Sequence, residues 1–439
     1  MGETPEADPW TELRRLPMGS RIEIHCADGH RWRGTLLPPH DLSGERVIQL
    51  KVDSGYNVGV RVGHRDRFHL LPAEPSGPTE PAMSRGHPHT APHPGRDVVL
   101  LTSGGTIASR VDYRTGGVRP VRDESEILAF YPDLDREGPV RVVPVLDRLS
   151  EDISPEDWIL LARHVGEAFE GGARGVVIAH GTDTLAFTAA ALSFLVESLP
   201  GPVVLVGAQR SPDRPSSDGP TNLAAAVRIA RSADLGEVVV VMHDGLSDDR
   251  FAIHRGTRVR KMHSSRRDGF QSRNGPPLGY LDASGLTWNV AVRPPSPPPV
   301  RVDPRLNEHG GLLWFYPGLP PERASAFVRG LRGVVLAGTG LGHVSAVHLP
   351  WIREAVERGV VVVMTTQCLE GDVDPFVYST GRELLKAGVL YAGDLLPETA
   401  YVKLLWALAR ADGPEEVRRL IETDRAGELE PRHVAGAPP

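Results

Sequence analysis

Cysteine is scarce: the 439-residue chain has two, Cys26 and Cys368, in segments of different character. A disulfide framework is therefore not expected, and a reducing compartment fits. No apolar run reaches the length that crosses a bilayer. The opening MGETPEADPWTELRR is acidic and lacks the apolar stretch of a secretory leader, and Glu6 stands where a myristoylation signal wants Ser or Thr. These absences predict a cytoplasmic protein with no membrane partner. A basic excess is missing too. The 49 Lys and Arg face 56 Asp and Glu, a net charge of -7, which gives no encouragement to a nucleic-acid surface over the whole chain. Local basic clusters stay open. Gly338-Thr339-Gly340-Leu341-Gly342 is only a fragment of a phosphate-binding turn, without a suitably placed acid, so a dinucleotide site is rejected. His87, His89 and His93 lie where nothing else would close a metal's coordination sphere, and they read as part of a solvated linker.

What is present is the composition of an ordinary soluble protein, 40% hydrophobic and 24% charged, long enough for about three domains. Residues 17–72 read as short alternating strands separated by Asp28-Gly29, Ser43-Gly44 and Ser54-Gly55, a small antiparallel barrel or sheet. Trp32, Arg31, Arg33 and Tyr56 could touch RNA there, although a barrel surface often looks like this. Residues 73–96 form a Pro- and His-rich linker. Residues 97–294 form a large α/β domain. After a second Pro-rich linker, 311–420 form a smaller one, with strands expected at 311–315, 333–337 and 360–364 and helices at 351–357 and 399–409.

Two stretches of the large domain carry the chemistry. Val176, Val177, Ile178 and Ala179 form a short apolar run suited to a strand buried on both faces. His180-Gly181-Thr182-Asp183-Thr184 interrupts it, and a helical pattern follows with Leu185, Ala189, Leu192, Phe194 and Leu195 mostly on one stripe. An Asp-Thr helix cap explains part of that turn, but an imidazole, hydroxyls and a carboxylate in five residues exceed what a turn needs. Earlier, Val98 to Leu101 make a similar strand, broken by Thr102-Ser103-Gly104-Gly105-Thr106. The paired glycines permit positive φ and close approach, and set the Thr106 hydroxyl at the tip of the turn. A Thr hydroxyl needs an activating neighbour to act as a nucleophile.

SGGTIAS with HGTDTLAFTAAAL resembles the asparaginase–glutaminase family of Thr-dependent amidohydrolases. The likeness continues through Gln209-Arg210-Ser211, SSDGPTNL and the segment 256–281. Within that family the chain is similar to the D subunits of archaeal-type Glu-tRNA(Gln) amidotransferases, in TIASRVDYRTGGV, TGLGHVS, VVVMTTQCL, VYSTGRELLKAGV and DLLPETAYVKLLWAL. Those subunits carry a small β domain before the amidohydrolase unit, and GTLLPPHDLSGERVIQLKVDSGYNVGV resembles it. The fold implied is an asparaginase-like two-domain α/β architecture preceded by a small β-barrel-like N-terminal domain.

The resemblance implies roles. Thr106 attacks the carboxamide of glutamine, Tyr113 assists, and Thr182, Asp183 and Lys261 form a second relay. Ser150 and Glu151 hold the substrate, with Gly105 and Gly181 beside it, and the N–H groups of the Gly104-Gly105 turn are candidates for the oxyanion. Family precedent alone chooses Thr106 over Thr182. No metal or cofactor is implied in this chain; ATP and Mg belong to a GatE-like E subunit, which also brings the Glu-tRNA(Gln). A homodimer within a heterotetramer is implied. A free-standing asparaginase or glutaminase with an extra domain is the alternative, and a non-catalytic protein that keeps the fold is a third reading. Two departures stand out: Ser103 replaces a usual Thr, and Glu370-Gly371-Asp372-Val373-Asp374 is unusually acidic. The ordinary reading of basic residues 255–267 is a solvated face, that of Ser150-Glu151 is helix capping, and that of Cys368 is a buried structural thiol.

Overall fold

The computed structural model describes residues 8–38, 46–53, 57–72, 97–104, 109–111, 118–120, 131, 134, 137–210 and 217–430. A short helix, α1 (Pro9–Leu13), precedes five antiparallel strands: β1 (Arg21–His25), β2 (Arg31–Leu37), β3 (Val47–Val52), β4 (Asn57–Arg61) and β5 (Arg67–Leu70). Their order is β4-β3-β2-β1-β5. Alternation along β1 turns Ile22 and Ile24 inward, where they join Leu13, Leu36, Ile48, Leu50 and Val60 in a core of their own. Trp32 packs partly buried against that core, and Arg33 pairs with Asp53, so two of the residues considered for RNA contact have structural partners. The fifth strand, RFHL, is mostly exposed and shows no clean alternation.

The large sheet is built on β6 (Val98–Thr102), β9 (Val140–Pro144), β10 (Gly175–Ala179), β12 (Val203–Val206) and β13 (Val238–His243), all parallel, with β14 (Arg250–Arg255), β17 (Gly279–Asp282) and β18 (Gly285–Trp288) added antiparallel. Its order is β18-β17-β14-β13-β12-β10-β6-β9. Small pairings accompany it: β7 (Ser109–Val111) with β8 (Val118–Pro120), β11 (Val196–Glu197) with β19 (Arg301–Val302), and β15 (Val259–Lys261) with β16 (Phe270–Ser272). Valine-rich runs make β6, β10, β12 and β13 because β-branched side chains fit a sheet covered on both faces. Among the described residues three helices cover it: α2 (Pro155–Glu170), α3 (Leu185–Leu195) and α4 (Gly219–Ser232). Helix α3 does not present a single stripe: Ala186, Thr188, Ala190 and Ala191 are buried along with Leu185, Leu192 and Leu195. Its small residues let it lie between two layers.

The second of those layers belongs to the C-terminal unit. Four parallel strands, β20 (Gly310–Trp314), β21 (Gly333–Gly338), β22 (Val361–Thr366) and β23 (Leu390–Tyr391), run in sequence order. They carry α5 (Pro321–Val328), α6 (Leu349–Glu357), α7 (Ser379–Lys386), α8 (Pro397–Leu408) and α9 (Pro414–Glu422). Helix α8 packs on α3, with Phe194 5.9 Å from Trp406 and Phe187 6.4 Å from Tyr401. One apolar core therefore runs from Val99 and Ile178 through α3 and α8 to Val335 and Val363. Cys368 is exposed rather than buried, because the chain leaves the sheet two residues earlier, after Thr366. Among the described residues, no helix is long and apolar enough to cross a membrane.

Polar contacts reinforce the seam. Arg258 donates to Asp394 at 2.6 Å and to the Gly427 carbonyl at 2.8 Å, and Asp394 also accepts from the Glu430 amide. Both side chains are buried, at 9% and 1% exposure. Removing one partner leaves a buried charge without its counter-ion, which costs about 3–5 kcal/mol. Asp394→Ala should therefore lose stability on that scale in chemical denaturation. A loss below about 1 kcal/mol would show that the ion pair contributes little beyond apolar packing.

Candidate active site

The chain passes from β6 outward to β9, then returns through α2 across β6 to β10. The strand order thus reverses between β6 and β10. A crevice opens outside the carboxyl ends of strands at such a switch point. Register fixes it: Thr102 lies opposite Ala179, and the Ser103 amide and hydroxyl both donate to the Ala179 carbonyl, at 3.0 and 3.1 Å. Gly104 turns away with φ of 92°, and a Cβ there would run into the Arg148 carbonyl oxygen. Only glycine meets both conditions. Gly105, Thr106 and Tyr113 lie outside the described residues, as do His87, His89 and His93.

Beyond β10 the turn is built from inside out. His180 is fully buried, with Nδ1 2.7 Å from the Gly181 carbonyl and Nε2 2.9 Å from Thr188 Oγ1, which accepts from Trp158 Nε1 at 3.0 Å. The indole can only donate, so Thr188 donates onward to Nε2 and Nδ1–H donates to the carbonyl. Burial lowers the ring's pKa from 6.5 to about 4, which keeps it neutral. The imidazole is a structural pin rather than a reagent facing the crevice. Thr184 does not cap α3; its hydroxyl donates to the Ser150 carbonyl at 2.5 Å. A Cβ on Gly181 would fall 2.7 Å from Ser150 Cβ, so the two turns touch.

Ser150 is buried, Glu151 exposed, and their side chains meet at 3.4 Å in a short 3-10 turn. Neither caps α2. Ser154 and Asp157 do that with a reciprocal capping box.

Lys261 closes the group from the hairpin of β15 and β16. Its Nζ donates to Thr182 Oγ1 at 2.8 Å and to Asp183 Oδ1 at 2.7 Å. Thr182 is 8% exposed, whereas the Asp183 side chain is 67% exposed, so one member is sheltered and the other stands in water. Thr182, Asp183, Lys261, Gly181, Ser150 and Glu151 are thus together at the mouths of neighbouring strands. Gly207, at the end of β12, completes a wall that sequence reasoning missed: a Cβ there would lie 2.7 Å from Thr182 Cγ2. Its signal was only a glycine after an apolar run.

Most of the basic residues beside Lys261 are drawn inward by acidic partners, and only Arg266 keeps an exposed side chain. Arg255 pairs with Glu237, Arg258 with Asp394, Arg260 with Glu398, Arg266 with Asp268 and Arg267 with Asp248. A cavity of about 270 Å³ lined by Phe194, Arg293 and Trp406 lies at the opposite end of the strands and does not include Thr182.

The switch-point crevice with its paired threonine, aspartate and lysine belongs to an asparaginase-type fold. Residues 97–293 match the model of the asparaginase N-terminal domain, 311–421 the glutaminase/asparaginase C-terminal domain, and 16–71 the GatD N-terminal domain. The chain superimposes on the thermostable L-asparaginase of Thermococcus kodakarensis with a TM-score of 0.70 and 36% identity, covering 76% of this chain and 99% of that one. L-asparaginase I of Vibrio cholerae gives 0.66 and 30%, with the coverage again 76% and 99%. Along nearly its whole length the chain is 45% identical to the D subunit of the glutamyl-tRNA(Gln) amidotransferase of Methanopyrus kandleri, over 96% of this chain and 93% of that protein. It is 43% identical to the D subunit of the same enzyme from Pyrococcus abyssi, over 97% of each. The chain belongs to the family of glutamyl-tRNA(Gln) amidotransferase D subunits, within the asparaginase-type proteins.

The buried histidines set an acid limit on stability. Desolvation lowers His180 to about 4 and, with the Arg273 charge, His254 to about 3. The unfolded chain takes up these protons near 6.5, before the folded one does. Their contribution is therefore complete above about pH 6.5 and is lost as pH falls toward 4. The expected result is a melting temperature that declines over that interval, with a shallower slope in His180→Gln. Equal slopes in the two proteins would place the acid sensitivity elsewhere.

Proposed function

We propose that this chain is the ammonia-releasing subunit of a Glu-tRNA(Gln) amidotransferase, acting in the cytoplasm with an E-type partner. The reading is carried by the GatD-type N-terminal match and the Thr182–Asp183–Lys261 cluster occurring in one chain. In this mechanism the Thr106 hydroxyl oxygen attacks the side-chain carboxamide carbon of glutamine, with Tyr113 assisting removal of its proton. The C–N bond breaks as that nitrogen is protonated, ammonia leaves, and water hydrolyses the ester to glutamate and free Thr106. Because Thr182 Oγ1 accepts from Lys261, its own hydrogen is free to point into the crevice. Thr182 can therefore relay to the departing nitrogen the proton that left Thr106, giving up its own hydrogen and regaining that one, with Lys261 stabilising its oxygen between the two transfers. Ser150 and Glu151 hold the amino-acid end of the substrate, the carboxylate of Glu151 facing its ammonium. ATP, Mg and the Glu-tRNA(Gln) belong to the partner's site. Residues 17–72 are the appended unit of such a complex, in which the chain is paired with a second copy.

The likeness to solved L-asparaginases favours asparagine as the competing substrate, so the two amides are run in parallel. The purified chain should release glutamate from glutamine slowly. Addition of the E-type partner and Glu-tRNA(Gln) should raise that rate by at least about tenfold, a coupling of about 1.4 kcal/mol. A lone chain that is already fast, prefers asparagine and ignores the partner overturns the reading in favour of a free-standing asparaginase.

Within the same assay, Thr106→Ala should abolish hydrolysis with the fold intact. Lys261→Met keeps length and loses charge, and should cost about two to four orders of magnitude in turnover. A loss of less than about threefold would remove Lys261 from the reaction.

A further inference from the structure

Behind the crevice runs a chain of polar side chains, buried from Asp218 to His243 and surfacing at Asp248, that the reaction itself does not use. Asp218, fully buried, accepts from the amides of Gln209 and Arg210 at 3.0 and 2.9 Å and from Asn222 Nδ2 at 3.0 Å. Asn222 Nδ2 also donates to the Gly207 carbonyl at 3.0 Å. These two acceptors fix the amide orientation and turn Asn222 Oδ1 toward His243 Nδ1, 2.7 Å away. On its other side His243, also fully buried, meets Asp248 Oδ1 at 2.8 Å. Both ring nitrogens thus face acceptors. Asp248 in turn accepts from Arg267 at 2.8 Å, and Arg267 lies in the turn joining β15 to β16. Burial alone would raise the Asp248 carboxyl, yet His243 and Arg267 hold it below its ordinary value.

The two ends of this chain are the two walls of the site. One is the strand end 207–210, whose Gly207 lies against Thr182. The other is the hairpin that delivers Lys261. They also touch directly: a Cβ on Gly269 would fall 2.8 Å from Gln209 Nε2. A salt bridge on a half-exposed carboxylate contributes little to stability by itself. One carboxylate that holds both walls, however, sets their spacing.

We propose that Asn222, His243 and Asp248 are positioning residues that fix the Thr182 wall and the Lys261 hairpin relative to each other, with Asp248 as the joint. The kinetic part rests on the glutaminase reading above; the structural part does not. Displacing a reacting group slightly lowers turnover more than it lowers substrate affinity.

The test uses the full chain and three variants. Asp248→Asn keeps the shape but removes the charge that Arg267 pairs with. It should lower kcat for glutamine about tenfold with KM within about threefold. Amide hydrogen exchange should quicken roughly tenfold at 205–210 and 261–270 together. Asp248→Glu should restore both readouts to within about threefold of the parent. Arg267→Met cuts the hairpin's ties to Asp248 and to the Leu246 carbonyl while leaving His243 and Asn222 in place; it should loosen 261–270 alone, and it serves as the decisive variant if Asp248→Asn does not fold. Unchanged exchange at 261–270 in both Asp248→Asn and Arg267→Met overturns the brace. So does quickened exchange with kcat within about twofold of the parent. A parent chain that hydrolyses no amide even with the E-type partner and Glu-tRNA(Gln) present sinks the glutaminase reading, and the exchange measurements still decide the brace.

Discussion

The site depends on the parallel register of β6 and β10, which places Thr102 opposite Ala179. Parallel neighbours lie about 4.8 Å apart, so the turns that follow these strands start side by side. The Ser103 amide and hydroxyl on the Ala179 carbonyl lock that start. Everything else in the crevice is arranged against it. The Ser150 turn presses on Gly181, Gly207 closes on Thr182, and Lys261 arrives from a hairpin far along the chain. A slip of one residue would turn successive side chains to the other face and separate the two turns.

Much of the framework was legible because buried parallel strands write themselves as apolar runs. The stretches around Val98, Val176, Val203, Val238 and Val361 are of this kind, and each forms a strand. The candidate side chains were legible only as unusual turn compositions. Thr182, Asp183 and Lys261 could be suspected through a resemblance, but their contact spans 78 to 79 positions and no spacing rule reaches that far.

Other misreadings share a cause. The arginines near Lys261 looked like a solvated run because their partners, Glu237, Asp394 and Glu398, are remote in sequence. Helix α3 looked amphipathic because alanines are neutral in a stripe argument, whereas in the fold their small size lets a second helix layer approach. Cys368 looked buried because a strand precedes it, but its position beyond the strand end decides its exposure. The short β5 gives no such signal in the sequence, since an edge strand with mostly exposed residues lacks the alternation that betrays its neighbours.

The shared core across α3 and α8 gives the chain two kinds of modularity. The N-terminal sheet closes on its own apolar cluster, from Leu13 to Val62, which among the described residues shares no member with the cores of the rest. The C-terminal unit is different. Cutting the chain between residues 294 and 310 would strip α8 from α3 and expose Phe194, Leu192 and Trp406 together. Two units that look like separate modules in the order of their elements can therefore recombine only as a pair, and in denaturation they should melt in one cooperative step.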